Sequence, residues 1–192
     1  MRNLKAVLGV GLSVLLAGGC GPELAQDVRQ ESGTETGTVS QGLNVVTNGS
    51  FETAPAISSG CSGGITGSSA FTGWTLSGSV TLMAPGCKTP ANGSRSIKFN
   101  FGNISQNMPT VVGGGYTVQF AFSTSPGCGS STTYLDMTVD GRSYNFSTAS
   151  ASWQYRTVVF NALTTRTPIV FKNLYASQPC GVAIDDVTVT GP

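Results

Sequence analysis

Residues 113–123 read GGGYTVQFAFS, and this stretch decides the fold class. Tyr116, Val118, Phe120 and Phe122 alternate with Thr117, Gln119, Ala121 and Ser123. A period of two puts the large apolar side chains on one side of an extended chain and the small or polar ones on the other, the pattern of a half-buried strand. The same alternation recurs on both sides. Ile97, Phe99 and Phe101 alternate with Ser96, Lys98 and Asn100, and Leu135, Met137 and Val139 alternate with Tyr134, Asp136 and Thr138. Asp140-Gly141 reads as a two-residue hairpin turn leading into Ser143, because glycine accepts the positive φ such a turn requires. Further strands are expected at 80–83, 104–108, 155–161, 169–174 and 182–190, with Gly113-Gly114-Gly115 and Ser125-Pro126-Gly127 as punctuation. No helical periodicity lasts beyond two turns, and no internal repeat occurs. Nine or ten short strands in about 150 residues predict an all-β fold, a two-sheet antiparallel β-sandwich.

Composition agrees and narrows the chemistry. Of 192 residues, 46 are Ser or Thr and 26 are Gly, while 10% are charged, which suits a turn-rich β protein with polar faces. There is no histidine. Its absence removes Ser-His-Asp triads, Cys-His pairs and His-ligated zinc. A net charge of +1 with no Lys/Arg block makes nucleic acid a poor partner.

The first residues have the form of a bacterial export signal. Arg2 and Lys5 precede the apolar run 6–16, which is too short to span a bilayer. Leu16-Ala17-Gly18-Gly19-Cys20 then resembles the lipobox of bacterial lipoproteins, although its Leu stands four residues before the Cys rather than three. Cysteine parity supports lipidation of Cys20, since five Cys in an exported chain leave one unpaired. Residues 1–19 are therefore expected to be a lipoprotein signal peptide and 20–42 a flexible tether. None of the sixteen aromatic residues lies before residue 43, so the tether has nothing large to bury. Residues 43–192 form the folded domain. The expected address is the cell envelope, on the outer membrane or cell surface.

Within that domain, several motifs occur in a particular order. They are NVVTNGSFE at 44–52, Gly73-Trp74, GSRSIKFN at 93–100, ISQNM at 104–108, GGGYTVQFAF at 113–122, Trp153 to Phe160, and CGVAIDDVTVT at 180–190. This order resembles the CenC-type carbohydrate-binding modules, and more nearly the galactose-binding-like domain of plant cell-wall proteins. The resemblance implies a β-jelly roll. It also implies a structural Ca²⁺ held by Glu52 and Asp185, with Asp186 as the alternative. The rival use of these acids is pairing with Arg or capping by backbone amides. Cys61, Cys87, Cys128 and Cys180 allow three disulfide connectivities. The resemblance pairs Cys128 with Cys180; Cys61 and Cys87, in neighbouring Gly-rich loops, are the other favoured pair.

The five carboxylates of the domain, Glu52, Asp136, Asp140, Asp185 and Asp186, do not suggest a glycosidase pair, since three sit in terminal motifs and Asp140 in a turn. The expected function is therefore non-catalytic carbohydrate binding by a monomeric, lipid-anchored domain, with a polysaccharide as partner. The alternatives are a structural or adhesive surface protein that binds another protein, and a divergent hydrolase. Sugar binding needs aromatic faces and hydrogen-bonding groups on an outward surface. Trp74, Trp153, Tyr134, Tyr144, Tyr155 and Tyr175 are the candidate platforms, with Trp74 and Trp153 expected in the core. Strand parity turns Tyr134, Asp136, Gln119, Lys98 and Asn100 outward, and these five are the expected binding face. Gln106 is expected to be a buried structural amide.

Overall fold

The computed structural model describes residues 42–57, 60–68, 71–173 and 180–192. The expected signal peptide, Cys20, the tether up to residue 41 and Tyr175 lie outside the described residues. Ten antiparallel strands, and no helix, form among the described residues. They are β1 (Leu43–Asn44), β2 (Ser62–Thr66), β3 (Thr75–Met83), β4 (Ser96–Pro109), β5 (Gly115–Thr124), β6 (Thr133–Val139), β7 (Arg142–Thr148), β8 (Gln154–Asn161), β9 (Arg166–Asn173) and β10 (Val182–Gly191). Asp140 and Gly141 both have positive φ, 51° and 75°, the geometry expected for the two-residue hairpin between β6 and β7.

Strand order is β7-β6-β9-β4-β10-β5-β8, with β3 on the free side of β4, β2 beyond it, and β1 beside β10. The long strand β4 makes this a jelly-roll sandwich. Its first half pairs with β10 at Ile97 and Lys98, and its second half pairs with β9 from Asn103 to Pro109. One layer is therefore β2-β3-β4-β10-β5-β8 and the other is β4-β9-β6-β7, with β4 crossing between them. Ring contacts between strands that share no hydrogen bonds show the layers closing on each other. Phe120 of β5 meets Phe171 of β9 at 5.1 Å and Phe146 of β7 at 5.3 Å, both edge to face. Phe51, Phe99, Phe120, Phe122 and Phe171 are fully buried, each such ring contributing roughly 2–3 kcal/mol of transfer free energy.

The corner of β4 requires two glycines. Gly78 and Gly102 face each other in the β3–β4 ladder, with φ of 103° and 92°. A Cβ on Gly102 would lie 1.8 Å from the Ser77 carbonyl oxygen, and one on Gly78 would lie 2.5 Å from the Phe101 carbonyl oxygen. Just before the corner the register shifts, so that Ser79 faces Phe101 while Val80 faces Phe99. Asn100 is the extra residue of this bulge. The bulge corrects one expectation: Phe101 does not join Ile97 and Phe99 in the core but turns outward, 53% exposed. Beyond it the parity is reset, and Ile104, Gln106 and Met108 point inward.

Gly102→Ala should destabilise the domain by about 3 kcal/mol or more in urea melts, because clash adds to backbone strain. Gly113→Ala, at φ 77° with nothing within 4 Å of the added atom, should cost only about 1 kcal/mol. Equal losses at the two positions would refute the corner argument.

Candidate functional site

The terminal motifs are built into the scaffold. Asn48, at φ 54°, donates through Nδ2 to the Thr53 and Thr72 carbonyls and accepts from the Thr53 amide, and its own carbonyl accepts from Trp74 Nε1 at 3.0 Å. Trp74 is buried beside Phe51 and Phe171. Gln106 accepts from the Thr47 amide at 2.7 Å and donates to the Thr47 carbonyl at 2.9 Å, the structural role expected of it. Tyr144 is half-buried and packs on the core.

The outer face of the β2-β3-β4-β10-β5-β8 layer is crossed by the loop joining β3 to β4, residues 84–95. At its start Cys61–Cys87 is a disulfide, one of the two favoured pairs. Lys88 then lies 4.6 Å over the Trp153 ring and donates to the Ala151 carbonyl, while Trp153 Nε1 donates to the Thr89 carbonyl. Trp153 is thus half-buried under this loop rather than in the core as expected. Next, Asp185 Oδ2 accepts from the amides of Ala91 and Asn92 at 2.7 and 3.0 Å, and Oδ1 accepts from Asp186 N. Asp186 accepts from Asn92 Nδ2 and from the Tyr155 hydroxyl. Finally Glu52 Oε1 accepts from the amides of Ser94 and Arg95, and Oε2 accepts from Ser94 Oγ at 2.6 Å. Met83, Ser96, Ala121, Ser123, Ala183 and Asp185 are buried although strand parity aims them outward, and the loop is bound directly to Asp185 among them.

The two clamping acids titrate in opposite directions. Burial raises the Glu52 carboxyl, but hydrogen bonds from Ser94 and Arg95 and the Arg95 charge more than offset it, leaving it below its ordinary value. At Asp185 burial dominates over the amide bonds, and the neighbouring Asp186 charge adds to it, so the carboxyl is pushed up to about 7. The acids expected as metal ligands are therefore amide acceptors here. Each of Glu52 and Asp185 has three of its roughly four lone-pair positions filled by N–H or O–H donors. Among the described residues no group of three or more His, Cys, Asp or Glu is placed to hold a metal ion. The remaining acids are also engaged: Asp136 accepts from Thr138 Oγ1 and faces Lys172 across the ladder, and Asp140 accepts from the Leu163 amide.

The five expected binding residues do not share a face. Lys98, Asn100 and Gln119 lie on the outer face just described, but Tyr134 and Asp136 lie on the outer face of the other layer, facing Ser147 and Asn145 of β7. Parity fixes in or out within a strand, and the two layers of a sandwich face outward in opposite directions. Gln119 is further separated from Lys98 by the loop clamped on Asp185, because Lys98 is paired with Ala183 and Gln119 with Thr188.

The residue that parity missed is Phe101. It stands exposed at the corner next to Asn100, whose Nδ2 donates to Thr81 Oγ1 at 3.0 Å and Ser79 Oγ at 3.3 Å. Near this corner is a hollow of about 190 Å³ lined by Ser62, Thr81, Met83, Cys87, Lys98 and Pro126. The paired glycines around the FNFG segment were the available signal of a bulge there. The second favoured disulfide is not formed: Cys128 and Cys180 are thiols. They are neighbours all the same, and the hydrogen bond with Cys128 holds the Cys180 thiol above its ordinary value, with burial adding to it.

The jelly-roll sandwich is a fold this domain shares with solved carbohydrate-binding modules. A module solved with β-1,4-galactotriose, TmCBM61, superposes with a TM-score of 0.52 at 18% identity, covering 78% of this chain and 99% of that one. The CBM22-1–CBM22-2 tandem domain of Paenibacillus barcinonensis Xyn10C gives 0.52 at 12% identity, over 78% of this chain and 46% of that one. The arabinose-bound α-L-arabinofuranosidase MgGH51 gives 0.54 at 13% identity, over 79% of this chain and 27% of that one. No curated protein matches the chain in sequence. Residues 44–190 match the family described as "Protein of unknown function (DUF642)", and the chain belongs to it.

The buried Asp185 makes stability depend on pH. Between its ordinary 3.8 and about 7 the folded state keeps a proton that the unfolded state releases. Stability from this group therefore falls as pH rises through that window and is flat above it. The melting temperature of the wild type minus that of Asp185→Asn should decline from pH 4 to 7 and level off beyond. A difference constant over pH 4–8 would show that Asp185 ionises normally in the fold.

Proposed function

We propose that residues 43–192 are a non-catalytic carbohydrate-binding domain whose site lies at the β3–β4 corner around Phe101. The observation that carries this reading is the exposed Phe101 ring, whose ladder partner is Ser79 and whose chain neighbour Asn100 is hydrogen-bonded to Ser79 and Thr81. It offers a flat apolar surface for sugar C–H groups and adjoining groups for hydroxyls. The jelly-roll likeness supports it, and the structural engagement of all five carboxylates favours binding over hydrolysis. Calorimetry with neutral polysaccharides should give weak affinity, near 10 µM to 1 mM. Phe101→Ala should weaken it by about 1 kcal/mol or more, whereas Tyr134→Ala, on the opposite layer, should leave it unchanged. The reverse result would move the site to the β6 face. No binding to any polysaccharide by folded protein would favour the adhesive-protein alternative.

The proposal includes the lipid anchor at Cys20 and hence the cell envelope, supported by the LLAGGC stretch and the odd cysteine. Export would place Cys128 and Cys180 in an oxidising compartment, where neighbouring thiols close. Chain isolated from envelopes and denatured without reductant should then show no free thiol. One free thiol would mean an unmodified Cys20, and two a pair still reduced. Cys20→Ser should release the protein from the membrane fraction.

Calcium remains a proposal for Glu52 and Asp185. Two acids converging on one loop are the hard-oxygen type that suits Ca²⁺, and a cation would relieve the buried Asp185 charge. With the ion bound, the decline in stability from pH 4 to 7 should disappear in about 1 mM Ca²⁺. If it persists, the amides alone hold the loop.

A further inference from the structure

The hollow lined by β2, β3, β4, Cys87 and Pro126 contains one charged residue, Lys98. Its stem runs over Gly181, where an added Cβ would lie 3.1 Å from Lys98 Cε, and its ladder partners are Thr81 and Ala183. Among the described residues no carboxylate compensates it. Glu52, Asp185 and Asp186 are engaged with residues 91–95 and with Tyr155, and Asp136 and Asp140 belong to β6 and the turn after it in the other layer. The titratable group nearest to it in charge is Cys180, which carries no charge at pH 7 either as a thiol or closed in a disulfide with Cys128. Lys88, which follows the lining residue Cys87, already donates to the Ala151 carbonyl. Hydroxyls of Ser62 and Thr81 line the same space. A cation without a counter-charge, set among hydroxyls and three residues along β4 from the exposed Phe101 ring, suits an anion carried on a polyhydroxylated ligand.

We propose that this hollow is an anion subsite and that the domain recognises an acidic glycan, with Lys98 meeting the carboxylate of a uronic-acid residue while Phe101 supports the neighbouring part of the chain. The inference rests on the carbohydrate reading above and narrows it to a substrate class. A neutral-glycan specificity would leave Lys98 idle; a uronate would pair it at short range in a partly enclosed place, where charge-assisted contacts are strongest.

The test uses matched probes and the full-length protein. Calorimetry would compare a de-esterified oligogalacturonate, the same oligomer as its methyl ester, and β-1,4-galactotriose. The de-esterified probe should bind about tenfold more tightly than its ester, and raising salt from about 20 to 500 mM should shrink that preference. Lys98→Gln should abolish the preference and Lys98→Arg should retain it, with the Lys98→Gln melting temperature within about 2 °C of wild type. If Lys98→Gln fails to fold, the ester comparison and its salt dependence in the wild type decide. Equal affinity for acid and ester, or a preference that survives Lys98→Gln, overturns the inference. Binding to galactotriose without any preference for acid overturns it while leaving carbohydrate binding intact, and binding to none of the three overturns it and leaves the carbohydrate reading to the wider polysaccharide panel.

Discussion

The close approach of Gly78 and Gly102 is the constraint on which the rest of the structure depends. Backbone meets backbone there with no room for a side chain on either strand, so β4 can leave one layer and enter the other without breaking its ladder with β3. The sandwich is therefore one continuous hydrogen-bonded sheet folded at a corner, and its core lies between two halves of the same sheet. The bulge at Asn100 belongs to the same event. It absorbs the register shift that the turn demands, and in doing so it turns an aromatic residue out of the core. Exposure of Phe101 follows from the way the sheet bends, at a place where a rigid surface is available on both strands.

A second constraint is the hold of Asp185 and Glu52 on the β3–β4 loop. Each acid accepts two backbone amides from it, across 93–94 and 42–43 residues of sequence respectively. The loop then shields the middle of the outer face and divides what would be one long groove. The division leaves Lys98 and the hollow on one side and Gln119 on the other. On the same face the hydroxyls of Ser96 and Ser123 are buried without a hydrogen-bond partner among the described residues. These are costs of desolvation accepted within a face that is interior at these positions.

The fold was legible because its signal is local. Alternation at Tyr116–Ser123 and Leu135–Val139 and the Asp140-Gly141 turn describe contacts between a residue and its near neighbours, and each was placed correctly. The site was legible only in part, for two physical reasons. Parity assigns a side chain to one surface of its own strand but carries no information on which layer that strand joins, so Tyr134 and Lys98 read alike though they face opposite ways. A bulge shifts parity by one residue without any change in composition, so Phe101 reads as core. The loop clamp left no pattern either, since its acceptors are side chains but its donors are backbone amides, which every residue has. Gln106 was legible in the opposite way: an amide among apolar inward residues had to be satisfied by something, and the Thr47 backbone satisfies it.

The recognisable motifs and the proposed ligand surface are largely different residues, and this bears on how function can be read in such a chain. NVVTNGSFE supplies Asn48 and Glu52, and CGVAIDDVTVT supplies Asp185 and the strand that both β4 and β5 flank; all serve the scaffold. Residues that would touch a glycan, Phe101, Thr81 and Ser62, stand outside these motifs, and within GSRSIKFN only Lys98 and Asn100 belong to the surface. A chain can therefore keep the scaffold pattern while its surface positions vary freely in chemistry, because an outward side chain on a paired strand contributes little to folding. Likeness of fold at 12–18% identity reports on the sandwich architecture alone. Ligand class must instead be argued from the charge and shape of the few outward groups that the corner and the clamp leave uncovered, and there the uncompensated Lys98 is the most discriminating feature.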